Sequence, residues 1–195
     1  MTIKRAIDDL TTRIFNIPKG IYFSRNHTWA FLEKTGEAKI GLNDFLAAVV
    51  GNVKVKMLKV QGENIGRGEV LAEMEQGNKH LKIVSPVSGL IVKNNEALQC
   101  ASNVVFSDPY ENHWLCAIQP TQWKADTNSF LLADEATKWI LSEVDRFKDF
   151  LAVSMVRHSP EPALISLQEG GEIKPHILEE MDHNVWEDFQ NSFLT

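Results

Sequence analysis

Apolar residues change their spacing several times along this chain, and each spacing predicts a different kind of element. Near the start, Ile3, Ile7, Leu10 and Ile14 recur at helical steps. They predict an amphipathic helix over residues 3–15, ended by the turn Pro18-Lys19-Gly20. From Trp29 the pattern becomes short runs rich in β-branched and apolar residues, at 29–32, 38–42, 53–60, 70–74, 81–84 and 90–93. Glycines 36, 51, 62, 66, 68, 77 and 89 and Pro86 punctuate these runs. Val53, Val55 and Met57 alternate with Lys54 and Lys56, the mark of a half-buried strand. Many short strands separated by glycine turns predict a small barrel or sandwich. Asn43 and Asp44 stand before Phe45-Leu46-Ala47-Ala48-Val49-Val50 as the cap of a short helix that interrupts the strands.

The remainder of the chain has a different rhythm. Ala136, Ile140, Val144, Phe147, Leu151 and Met155 hold steps of three or four and predict a long helix from Asp134 to about Arg157. His158-Ser159-Pro160-Glu161-Pro162 breaks it. Two short runs, 163–168 and 172–174, flank Glu169-Gly170-Gly171 as a hairpin, and residues 184–194 return to helical spacing. A unit this small buries little core of its own, so it is expected to pack on the long helix or on another chain. Trp186 and Phe189, three apart and exposed on an isolated helix, are its expected contacts, with packing inside the same chain the commoner outcome.

Composition narrows the classes of function. The 195 residues are 44% hydrophobic and 24% charged, an ordinary globular balance. The net charge is −6, from 26 acidic and 20 basic residues, and no basic run forms a stripe for phosphates, so nucleic acid is not an expected partner. No segment approaches the roughly 18 apolar residues of a membrane span, and the scattered charges of the first residues fit neither a secretory nor an organelle leader. A cytoplasmic protein is expected. Cys100 and Cys116 lack metal-ligand spacing and are expected to be free, buried thiols in a reducing compartment. No two of the six histidines stand at ligand spacing, so a metal site would have to be assembled across the fold. The adjacent glycines at 170 and 171 have acidic neighbours and no following lysine, which favours a turn over a phosphate loop.

A set of local motifs occurs in a fixed order. It comprises His27-Thr28-Trp29, Ile40-Gly41-Leu42-Asn43-Asp44-Phe45, Gly51-Asn52-Val53, Glu73-Met74-Glu75 and Ser85-Pro86-Val87-Ser88-Gly89. Asn94-Asn95-Glu96-Ala97-Leu98, Ser107-Asp108-Pro109-Tyr110, Trp114-Leu115 and Phe130-Leu131-Leu132-Ala133 follow. In this order they resemble the H protein of the glycine cleavage system, over roughly residues 20–142. The resemblance implies a mainly β fold with flanking helices, a flattened barrel or barrel-sandwich hybrid of the lipoyl-domain type, followed by a small C-terminal α/β extension. It divides the chain into an amino-terminal helix (1–19), a lipoyl-type domain (20–142) and an extension (143–195).

The resemblance also implies a prosthetic arm, in which one exposed lysine amine on a hairpin tip is acylated by lipoate. That lysine lies eight positions before the proline of the SPVSG-like turn, which here is position 78. Position 78 is asparagine, whose amide cannot be acylated into that linkage. Glu75-Gln76-Gly77-Asn78 replaces the usual Glu-Ser-Val-Lys. Lys79 is one place on, where a one-residue slip turns a side chain to the opposite face unless a bulge at Gly77 restores its aim. Lys82 is expected to be a solvated strand residue.

Two functions follow as expectations. The first is a non-catalytic interaction protein without lipoate or other cofactor, docking on a redox or one-carbon multi-enzyme complex. The second is a lipoyl carrier modified at Lys79, in glycine cleavage or another lipoate-dependent redox system. An enzyme sited in the extension is the weakest alternative, because no nucleophile, base and orienting group can be assembled there.

Overall fold

A computed structural model describes residues 15–100, 104, 106–158 and 175–195. Among the described residues, nine strands form two antiparallel sheets. The first to fourth are β1 (Tyr22–Phe23), β2 (Thr28–Leu32), β3 (Ala38–Leu42) and β4 (Lys54–Met57). The others are β5 (Asn64–Ile65), β6 (Val70–Gln76), β7 (Lys79–Val84), β8 (Gly89–Asn94) and β9 (Cys116–Pro120). The larger sheet has the order β1-β2-β3-β9-β8-β5 and the smaller β4-β6-β7. The two are packed as a sandwich around a shared core rather than joined into one closed ring. The expected mainly β architecture of the barrel-sandwich type is therefore observed. Among the described residues no helix is long and apolar enough to cross a membrane.

The alternation in β4 is as its sequence requires, with Val55 buried and Lys54 and Lys56 exposed. Its extent is shorter than the run 53–60, because Leu58 and Val60 swing outward into the Gly62 turn and are 42% and 58% exposed. Strands β1 and β5, of two residues each, are too short to show a period, and β9 ends in a proline. Helix α1 (Asp44–Val50) is capped as expected, the Asn43 carboxamide oxygen accepting from Leu46 N at 3.0 Å. Short helices α2 (Glu96–Cys100) and α3 (Trp123–Thr127) precede the long α4 (Ala133–His158), which runs through position 143 without a break. Cys116 is a free, buried thiol, its pKa pushed far up by burial. The Asp108 turn is structural, holding Glu111 N at 3.2 Å.

The extension folds back on its own chain. A 3₁₀ turn, Ile177–Glu180, precedes α5 (His183–Phe193), where Asp182 caps the helix through Val185 N. His176 N donates to Ala48 O at 2.6 Å, and Asn26 Nδ2 donates to Leu194 O at 3.3 Å. Trp186 and Phe189 are fully buried within the same chain, the commoner of the two expected outcomes. Phe189 stacks on Phe193 at 4.7 Å and meets Phe147 and Phe150 of α4 edge-on. Trp186 Nε1 donates to Leu178 O at 2.7 Å. The helix expected over 3–15 and the hairpin expected at 163–174 lie outside the described residues, apart from Phe15, which packs on Phe45.

One polar chain ties these layers together. His27, with no exposure, sits in a left-handed turn at φ 58°, where its carbonyl accepts from Asn43 N. Its Nδ1 is 3.0 Å from Asn43 Nδ2 and its Nε2 is 3.0 Å from Glu143 Oε2 of α4. Since the Asn43 oxygen is committed to Leu46 N, its amide must donate to Nδ1, leaving Nε2–H for Glu143. The ring stacks on Trp139 at 5.0 Å. Glu143 also meets Arg146 at 3.2 Å, and Arg146 donates to Ser192 O at 2.7 Å while lying over the Phe193 ring. Burial holds the His27 pKa below its ordinary value, outweighing the opposing pull of Glu143.

Two measurements check this account. Gly89 lies against the carbonyl of Gln119, which a Cβ would overlap, so Gly89→Ala should lose roughly 1–3 kcal/mol of unfolding free energy in urea titration. The unfolded chain takes up a proton at His27 below pH ~6.5 that the folded chain resists, so stability should fall as pH drops from 7.5 to 5.5. His27→Gln should be less stable at pH 7.5 and lose less on acidification. An unchanged pH slope in that variant would refute the neutral buried imidazole.

Candidate functional site

The β6–β7 hairpin carries Asn78, Lys79 and Lys82, the residues weighed from sequence around the attachment point. Gln76 pairs with Lys79 across a tip formed by Gly77 and Asn78. Gly77 has φ 61°, a conformation that favours glycine at the first central position of a two-residue turn. Asn78 is exposed at the apex. The only register shift between the two strands lies between Val70 and Ala72, at the far end from the tip. The bulge at Gly77 that would have re-aimed Lys79 is therefore not formed. Pleating places Gln76 and Lys79 on the side of buried Met74 and Leu81, whereas Glu73, Glu75, His80 and Lys82 face outward.

Lys79 is half-buried and already occupied. Its Nζ donates to Glu179 O at 2.8 Å and to Met181 O at 3.1 Å, and it stands 5.1 Å from the centre of the Trp186 ring. Two backbone carbonyls and an aromatic face thus take the place of hydration around the ammonium. Desolvation lowers the Lys79 pKa from the ordinary lysine value, against the attraction of Glu179 and Asp182. Burial alone therefore works toward a free amine. Access works against it, because an acylating enzyme must first pull the side chain out of this pocket.

The docking of α5 reinforces that closure. Strand β7 is an edge of the smaller sheet, and the Gln190 carboxamide pairs with it like a neighbouring strand. Lys82 N donates to Gln190 Oε1 at 2.6 Å, and Gln190 Nε2 donates to Lys82 O at 3.3 Å. On the other flank, Asn52 N donates to Glu179 Oε2 at 3.3 Å and Gln76 Nε2 to Asn52 O at 2.9 Å. Lys82 itself is exposed, as expected of a solvated strand residue.

The roles of Glu179, Met181, Trp186 and Gln190 were not visible in the sequence. Two of the Lys79 contacts use backbone carbonyls, which leave no trace in residue identity, and the partners lie about a hundred positions away. The bulky Trp186 was the one available signal.

Comparison with known proteins bears on the larger part of the chain. The family model described as glycine cleavage H-protein matches residues 21–143. A probable glycine cleavage system H protein of Thermococcus kodakarensis is 27% identical over 128 residues, covering 66% of this chain and 95% of that protein. The glycine cleavage system H protein of Methylococcus capsulatus is 36% identical over 105 residues, covering 54% of this chain and 82% of that one. Among solved structures, a glycine cleavage system H protein from Mycobacterium marinum superposes with a TM-score of 0.51 at 28% identity. That match covers 61% of this chain and 94% of the other.

Proposed function

This chain belongs to the glycine cleavage H-protein family, and from that premise we propose that it is a member without a lipoyl arm, acting as a non-catalytic, partner-binding component. The family consists of carriers rather than enzymes, and its partners are those of a multi-enzyme complex. In this reading residues 20–142 supply the carrier-type body, and the extension 143–195 converts the hairpin from an acceptor into a closed surface. The finer assignment is docking on a redox or one-carbon complex of the glycine cleavage kind.

The observation that carries the reading is the double fault at the attachment point. Asn78 occupies the position expected for the acceptor and has no nucleophilic amine. Lys79, the neighbouring amine, is bonded to Glu179 O and Met181 O beneath Trp186. Lipoate remains the family's cofactor, but neither residue offers it a free amine in this arrangement. The competing reading, a carrier lipoylated on Lys79, requires the extension to release that side chain.

Intact-mass spectrometry after coexpression with a lipoate ligase and lipoate tests this directly. The full chain should show no lipoyl increment, whereas Asn78→Lys should acquire one, since it restores an amine at the exposed apex. An increment in the parent chain that disappears in Lys79→Ala would establish the carrier reading instead. Docking is measured separately. Excess chain added to a reconstituted glycine cleavage reaction should compete with the lipoylated carrier and slow it, and an unaltered rate would remove this complex as the partner.

A further inference from the structure

We propose that the outward face of the β6–β7 hairpin and the start of α5 together form a site for a divalent transition metal, with Glu73, Glu75 and His80 as ligands and His183 completing it. The sheet register sets Glu75 opposite His80, while Glu73 is two residues from Glu75 on the same face. One ligand atom from each of Glu73, Glu75 and His80 falls within 4.8 Å of the other two, and His80 Nδ1 stands 3.8 Å from Glu73 Oε1. Small side-chain rotations close such a triad to the donor spacing around one ion, and these three side chains are free enough of the core to make them.

The helix supplies the second half. Gln190 holds α5 along β7, and the cleft between them is lined by Glu73, His80 and Lys82 from the hairpin and by His183, Trp186 and Glu187 from the helix. His183 and Glu187 are one turn apart, with Nε2 and Oε1 3.5 Å from each other, so both point along one helix face. Two imidazoles and two carboxylates from elements about a hundred residues apart in sequence therefore border one cleft, with Glu75 beside Glu73 and His80.

A cross-strand charge ladder explains part of this face without a metal. Lys54 pairs with Glu75, and Lys56 and Lys82 flank Glu73. That ladder involves Glu73 and Glu75 but neither histidine, and His80 and His183 stand instead 3.8 Å from Glu73 and 3.5 Å from Glu187. The mixed nitrogen and oxygen donor set selects zinc or its neighbours over magnesium and calcium, which take oxygen ligands alone. The nearby lysines set its affinity below that of a closed structural zinc site. An ion held this way would cross-link the hairpin to α5 and so fasten the segment that covers Lys79. The inference stands on these side chains and does not depend on whether the chain is lipoylated.

The test uses the untagged full-length chain titrated with Zn²⁺ by calorimetry and with Co²⁺ by visible absorption. One equivalent of Zn²⁺ should bind, with Co²⁺ giving the spectrum of a site containing nitrogen ligands. His80→Ala, His183→Ala and Glu73→Gln should each weaken binding by about tenfold or more. Zn²⁺ binding should also raise the Tm of the parent and lose that effect in His183→Ala. Absence of saturable binding, or affinity undiminished in His80→Ala, would overturn the site. Loss with His80→Ala but not with His183→Ala would overturn the proposed link to the helix.

Discussion

An imidazole wholly removed from water must satisfy both ring nitrogens inside the protein, and His27 does so with residues from two different layers. Asn43 reaches it from the cap of α1, and Glu143 reaches it from the middle of α4. Glu143 is itself nearly buried, and its charge is met by Arg146, which in turn holds the last turn of α5. The chain of contacts passes from the turn before β2 to α4 and on to α5. Removing one member leaves a buried polar group without its partner, which costs more than the lost bond. The position of α4, and through it of α5, depends on this arrangement. The aromatic cluster of Phe45, Phe147, Phe189 and Phe193 fills the space that the polar chain defines.

Such long-range polar matching shows why some features were legible in the sequence and others were not. The periods of α4 and of the strands reflect burial within single elements, so they could be read one segment at a time. The cap at Asn43 is likewise a local signal. His27 was recognised only as part of a motif, because its partner Glu143 is 116 positions away and nothing in either neighbourhood announces the other. The partners of Trp186 and Phe189 were left open between this chain and a second one for a related reason. A short helix viewed alone shows its apolar side, and only the presence of α4 and β7 reveals that this side is covered.

The hairpin illustrates how a family frame and a local environment answer different questions. Ordered motifs across residues 21–143 establish the family, and the fold follows from them. What the apex does depends on side chains that the frame does not dictate. Asn78 projects into solvent, while Lys79 turns inward because the two-residue tip keeps the strands in regular register. A single insertion in the tip would exchange those directions.

The pairing of Gln190 with Lys82 has a bearing on how any partner can be recognised. A free strand edge invites a second polypeptide to add itself by backbone hydrogen bonds, a mode that tolerates many sequences. Here one glutamine amide supplies the donor and acceptor that an added strand would have offered at Lys82. Partner addition at that point of the edge is pre-empted by the chain itself. Recognition on this side must therefore run through side-chain shape and charge, which is the more selective of the two routes.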